Sequence, residues 1–199
     1  MKLAIMGGTF NPIHIGHLVC AEEAVSQFGL DQVLFMPTGL PPHKEIKKGI
    51  SSEARLQMCM IATRDNPRFE VSRYEIDRKE TSYTVDTIRH FRRQQPESDL
   101  YFISGADAIL EILEWKDPDE LLSMAMLIGA TRPGYPLDRI SGNLEKFLQA
   151  KKVKIMEIPG IGISSTMIRD RVSEGKSIRY LVPEGVRRFI YEEGLYRKA

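Results

Sequence analysis

The stretch Met1-Lys2-Leu3-Ala4-Ile5-Met6-Gly7-Gly8-Thr9-Phe10-Asn11-Pro12-Ile13-His14-Ile15-Gly16-His17 decides the fold of this chain. Its apolar run, Leu3 to Met6, has the pattern of a buried strand. Paired glycines at 7 and 8 allow a sharp turn and a close approach of backbone to a ligand. Asn11-Pro12 is a turn signal. His14 and His17 follow three apart, so a helix starting near Ile15 or Gly16 points both imidazoles back toward its N-terminus. That end carries free N–H groups and partial positive charge, which suit phosphate. Two other readings stand beside this one: ordinary surface or core histidines, and a metal pair. Neither H-E-x-x-H nor a cysteine pair accompanies the histidines to favour the metal.

The rest of the chain follows the same strand and helix rhythm. A helix from about Gly16 to Phe28 closes at Gly29, and a second strand, Gln32 to Met36, ends at Pro37. Strand, helix and strand of this length imply a parallel, right-handed crossover. A loop from Thr38 to Gly49 holds Lys44, either a solvated lysine or a phosphate contact. Ser51 or Ser52 caps a helix running to about Arg64, and Phe69 to Ser72 forms a third strand. Thr81-Ser82-Tyr83-Thr84 leads into a helix ending near Gln94, with Ser82 or Thr84 as its N-cap. Leu100 to Ile103 forms a buried strand that stops at Ser104-Gly105-Ala106-Asp107. Asp107 either contacts a ligand or caps a helix from Ala108 to Leu113.

Trp115 lies between that helix and a short one capped by Asp117 with Pro118 in its first turn; packing alone explains a tryptophan there. Ala125 to Ala130 makes a fifth strand, followed by Arg132, a weak ligand candidate. A helix from Ser141 to Ala150 and a last strand from Val153 to Ile158 come next. Ile163-Ser164-Ser165-Thr166-Met167-Ile168-Arg169 is a second helix start; Ser164 or Ser165 as N-cap is its plain reading, and a cap, a helix dipole, further hydroxyls and Arg169 together suit a polyphosphate. A tail helix runs from about Tyr180 to Gly194.

Composition narrows the classes. The chain has 199 residues, 42% hydrophobic and 28% charged, with net charge +1. Bulk charge therefore gives no case for nucleic acid or a membrane surface, and no apolar run reaches membrane-spanning length. The N-terminus enters a strand directly, without a leader pattern. Cys20 and Cys59 fall inside helices among apolar neighbours, as expected of buried, reduced thiols in a cytoplasmic protein.

His14-Ile15-Gly16-His17 resembles the signature of the H-x-G-H nucleotidyltransferase superfamily. Ile163-Ser164-Ser165-Thr166-x-Ile168-Arg169, nearly a whole domain away, resembles the second hallmark of its adenylyltransferases. Pro41-Pro42-His43-Lys44, Ser82-Tyr83-Thr84 and Trp115 resemble segments of the bacterial nicotinate-nucleotide adenylyltransferases, and the likeness covers residues 1 to about 196. It implies a single Rossmann-like α/β domain over 1–199, with a doubly wound, mostly parallel sheet of order 3-2-1-4-5 and helices on both faces. The C-terminal helices from about 164 pack onto it.

The implied reaction is adenylyl transfer from ATP, carried with Mg²⁺, to nicotinate mononucleotide. The implied catalytic residues are His14, His17, Lys44 and Arg169. For ATP they are Gly7, Gly8, Thr9, Phe10, His17, Gly105, Asp107, Ile163, Ser165, Thr166 and Arg169. For the pyridine nucleotide they are Thr9, Lys44, Tyr83, Thr84 and Trp115; a protein-held metal is not expected. The same chemistry on nicotinamide mononucleotide or phosphopantetheine, and a non-catalytic nucleotide-binding module, are the alternatives. Self-association through the tail helix is left open.

Overall fold

The computed structural model describes residues 1–40, 50–131 and 152–198. Its strands are β1 (Lys2–Gly8), β2 (Gln32–Pro37), β3 (Phe69–Val71), β4 (Asp99–Gly105), β5 (Met126–Thr131) and β6 (Val153–Glu157). They form one six-stranded sheet in the order β3-β2-β1-β4-β5-β6. This is the expected Rossmann-like order carried one strand further, by the strand read at Val153. β1 and β4 pair in parallel from Lys2 opposite Asp99 to Met6 opposite Ile103, and β4–β5 and β5–β6 are parallel as well. The strand order reverses between β1 and β4, and open α/β sheets bind ligands beyond the carboxyl ends of such strands.

The helices among the described residues are α1 (Ile15–Phe28), α2 (Ser52–Thr63), α3 (Tyr74–Asp77), α4 (Thr84–Gln94), α5 (Ala106–Leu110), α6 (Pro118–Met124), α7 (Ser165–Ser173) and α8 (Glu184–Glu192), with a 3₁₀ turn at Ile112–Glu114. Lys44, Arg132 and the helix expected over 141–150 lie outside the described residues. No described helix is long and apolar enough to cross a membrane.

Several boundaries differ from expectation for local reasons. Tyr83, not Ser82 or Thr84, occupies the N-cap of α4, in extended backbone and without a side-chain cap bond; Ser82 instead donates its N–H to Leu40 O at 2.8 Å. Helix α5 starts at Ala106, directly from the end of β4, with Gly105 as N-cap. Asp107 therefore falls inside the helix, past the cap position. Asp117 holds the cap position of α6 in a left-handed conformation, φ 47°, without a side-chain cap bond. The tail helix α8 begins only at Glu184, behind Pro183. α3 is a single turn, too short for periodicity to reveal. Ser51 does cap α2, accepting from Ala54 N–H at 3.0 Å. Cys20 and Cys59 are buried free thiols.

The residues group into two compact units, each built from separated segments. The first holds Met1–Gly7, Cys20–Leu34 and Tyr83–Gly160, and the second Gly8–Val19, Phe35–Ser82 and Ile161–Ala199. The first has a core of Leu3, Ile5, Ile103, Ile109, Leu127 and Ile128, all almost inaccessible. In the second, Ile13, Phe35, Leu56, Met58 and Ile168 are equally buried, and α8 packs on α2.

Gly39 shows how tightly the second unit closes on the end of β2. A methyl group added there would sit 2.0 Å from the carbonyl oxygen of Glu75, a backbone atom with no freedom to yield. Gly39→Ala is therefore expected to cost about 2–3 kcal/mol through overpacking, read as a lower urea midpoint with an unchanged m-value.

Candidate active site

The second unit gathers one set of expected residues around the turn after β1. Phe10 folds its ring back so closely that a Cβ on Gly8 would lie 3.0 Å from it, and Phe10 itself takes a left-handed φ of 46°. The chain runs straight through Gly7 and Gly8 as the last residues of β1, and the turn follows them. A cis Asn11-Pro12 bond then leads to His14 at the mouth of α1.

His14 and His17 stack with ring centroids 3.7 Å apart and planes at 23°. The edge of Phe10 meets His17 at 5.1 Å. The backbone N–H of His14 donates to Nδ1 of His17 at 3.2 Å. Nδ1 must therefore carry a lone pair, so the neutral ring bears its proton on Nε2. His17 is thus set as a hydrogen-bond donor through Nε2–H. Burial, and then the neighbouring His14, push its pKa from 6.5 down to about 3.

This shift makes a prediction. A histidine whose folded pKa lies below its unfolded value favours folding fully above pH 6.5, and that contribution is lost as pH falls from about 6.5 toward about 3. The Cε1–H resonance of His17 is expected not to titrate between pH 5 and 8. A midpoint near 6.5 would contradict the burial of this ring.

Helix α7 reaches the same turn. Ser164 caps it, accepting from Met167 N–H at 3.2 Å, so of the two serines read as possible caps it is the first that serves. The N–H groups of Ser165 and Thr166, in the first turn, have no intrahelical acceptor. The Ser165 hydroxyl donates to Pro12 O at 2.8 Å, and Arg169 donates to Asn11 O at 2.7 Å and to Thr166 Oγ1 at 3.0 Å. Ser165 and part of Arg169 therefore tie the helix to the turn. What remains to meet a ligand is the Thr166 hydroxyl proton, the first-turn N–H groups and the other guanidinium donors. Ile163 leads into the helix start, its N–H bonded to Ile161 O at 2.8 Å.

Arg55 of α2 escapes a reading from sequence. It is 0% exposed, and its guanidinium donates to Thr9 O at 2.8 Å and to Thr38 O at 2.7 Å. The N–H of Thr38 also donates to Gly8 O at 2.9 Å. The loops leaving β1 and β2 are thus fastened together at their first residues. Burial lowers the Arg55 pKa, with Cys59, Tyr196 and Glu75 acting in the opposite sense. Tyr196, also missed, donates its hydroxyl to Asn11 Oδ1 at 2.7 Å.

The first unit holds the other set. Gly7 packs against the ring of Phe102, and the same ring meets Trp115 edge-on at 6.0 Å. Trp115 is half-buried, so packing and an open face coexist. Tyr83 and Thr84 begin α4, and Tyr83 O receives the N–H groups of Asp86 and Thr87. The Lys116 ammonium lies 4.6 Å from the Tyr83 ring centroid and 3.2 Å from Asp86 Oδ2. Arg89 grips Glu120 with two bonds of 2.8 and 2.7 Å. Burial pulls the Asp86 carboxyl upward, but its bonds to Lys116 and Arg89 prevail and hold it below the usual range. Gly105 and Asp107 open α5 at the carboxyl end of β4. Lys116 carried no signal of its own in sequence, being one more charge in a polar stretch.

Residues 5–171 match the cytidylyltransferase-like family. A protein of Moorella thermoacetica named "Probable nicotinate-nucleotide adenylyltransferase" is 52% identical, over 98% of this chain and 92% of that protein. One of the same name from Arthrobacter is 50% identical, over 96% and 89%. Among solved structures, the Plasmodium falciparum nicotinic acid mononucleotide adenylyltransferase complexed with NaAD has a TM-score of 0.75 at 18% identity, covering 98% of this chain and 97% of that one. The fold agrees with it, and the identities to the bacterial relatives set the closer kinship: the chain belongs to the cytidylyltransferase-like family, among its nicotinate-nucleotide adenylyltransferases.

Proposed function

We propose that the chain transfers the adenylyl group of ATP to the phosphate of nicotinate mononucleotide, giving deamido-NAD and pyrophosphate in NAD biosynthesis. The full-length identity to proteins of that name supports the reaction. The observation that carries the mechanism is the fixed tautomer of His17, whose Nδ1 is occupied by the His14 N–H.

The attacking phosphate is already an anion at neutral pH, so the reaction needs no general base. It also needs no covalent intermediate: a phosphate oxygen of nicotinate mononucleotide attacks the α-phosphorus, and the bond to the pyrophosphate oxygen breaks in line. The protein's work is positioning and charge stabilisation. Neutral His17 donates from Nε2 to an α-phosphate oxygen, with His14 stacked behind it. Backbone at Gly8, Thr9 and Phe10 lines the phosphate chain. Thr166, Arg169 and the first turn of α7 hold the β- and γ-phosphates, with Ser165 fixing that turn through Pro12. Lys44 meets the attacking phosphate.

Tyr83, Thr84 and Trp115 take the nicotinate ring and its carboxylate, and Gly7, Gly105 and Asp107 the nucleoside side of ATP. Mg²⁺ comes with the polyphosphate and screens its charge when bound. The donor set fits an ion carried by substrate: the side chains at 17, 166 and 169 present N–H and O–H groups, which meet phosphate oxygens and leave the cation to them.

Incubation with α-labelled ATP and nicotinate mononucleotide tests this reading. All label is expected in the dinucleotide, with unlabelled pyrophosphate released in equal amount. Label left on the protein, or in free AMP, would contradict direct transfer.

A further inference from the structure

The turn from Thr9 to Pro12 has no regular structure to stiffen it, yet side chains hold it from several directions. Arg55 takes Thr9 O, Arg169 takes Asn11 O and Ser165 takes Pro12 O. The fourth hold is of a different kind. Tyr196 donates to the Asn11 side chain, an amide 6% exposed, from a segment that follows α8. After Glu192 the chain reverses at Gly194, φ 62°, and Leu195 N–H returns to Ile190 O at 2.9 Å. Tyr196 itself sits at φ 65°, a left-handed conformation a tyrosine seldom adopts. Such a conformation persists when its surroundings over-determine it.

The guanidiniums of Arg55 and Arg169 both act on this phenol, yet burial outweighs them and raises its pKa. The group therefore stays protonated, a donor at every physiological pH. It touches none of the atoms proposed to react.

We infer that Tyr196 is a positioning residue for adenylyl transfer: through Asn11 it fixes the turn that carries His14 and His17. This rests on the functional reading above. The bond forms in the free protein and holds a turn rather than a substrate, so its loss acts on the rate of the positioned complex more than on ATP binding.

Tyr196→Phe removes one oxygen and keeps the ring. The expected result is a kcat about tenfold lower with KM for ATP within about twofold of the wild type. Because the effect runs through Asn11, Tyr196→Phe added to Asn11→Ala is expected to slow that variant no further. In histidine ring ¹⁵N spectra of the free protein, His17 shows the Nε2–H pattern in the wild type. In Tyr196→Phe its two nitrogen signals move toward each other as tautomers mix. A wild-type kcat in Tyr196→Phe, or a loss that multiplies with that of Asn11→Ala, overturns the inference. If the wild type makes no dinucleotide, the functional reading fails and the spectra alone decide. Converging His17 signals then uphold the tether, and unchanged ones overturn it.

Discussion

His17→Ala is expected to lower kcat/KM by about a hundredfold or more, some 2.7 kcal/mol of transition-state stabilisation. In the proposed mechanism the loss comes from one donor, Nε2–H, aimed at an oxygen that gains charge as the bond to pyrophosphate stretches. Alanine also strips the acceptor from the His14 N–H and the stacked face from His14, so the control is His17→Asn. An asparagine can place an acceptor near the position of Nδ1, satisfying the same N–H, but reaches no further. It is expected to hold the wild-type melting midpoint within a few degrees and still lose about a hundredfold. Steady-state kinetics beside thermal denaturation separate the two effects. A well-folded His17→Asn enzyme working at the wild-type rate would remove His17 from the mechanism.

Arg55→Leu is expected to cost about 2–5 kcal/mol of stability. The guanidinium is fully buried and satisfies two carbonyl groups, Thr9 O and Thr38 O. Leucine relieves the burial of a charge but leaves both carbonyls without their donor, and each buried unsatisfied group costs roughly 1–3 kcal/mol. Arg55→Lys is expected to fall between, since one ammonium cannot span two acceptors as a planar fork does. Urea titration of the three proteins gives the order directly. A neutral Arg55→Leu would mean that the loops after β1 and β2 hold their geometry without the clamp.

What could be read ahead of the structure follows from where information is local. The apolar run at Leu3 to Met6, the stop at Pro37 and the serine pairs 51/52 and 164/165 announce strands and helix starts through near neighbours. Those assignments agree with β1, β2, α2 and α7. The cap of α4 falls on Tyr83 and not on Ser82 or Thr84: the backbone N–H of Ser82 is held across the loop by Leu40 O, and its hydroxyl is buried without a hydrogen-bond partner among the described residues.

Arg55 is the instructive miss. A charged residue beside Glu53 and Gln57 looks solvated, and only its position in a helical row with Cys59 and Thr63, both buried, hints otherwise. Tyr196 is invisible for a similar reason: its partner Asn11 lies almost the whole chain away. The Ser165 hydroxyl reads from sequence as a cap or a phosphate contact; its bond to Pro12 O, a backbone group of a remote turn, is one no local pattern announces.

The most direct test of the whole account is pyrophosphate release from ATP and Mg²⁺ with nicotinate and nicotinamide mononucleotides compared side by side. A strong preference for the acid is expected, held by the start of α4 at Tyr83 and Thr84. Equal use of the amide would keep the phosphate chemistry at His17 and α7 and discard the carboxylate site. Silence with both would contradict the proposed reaction itself.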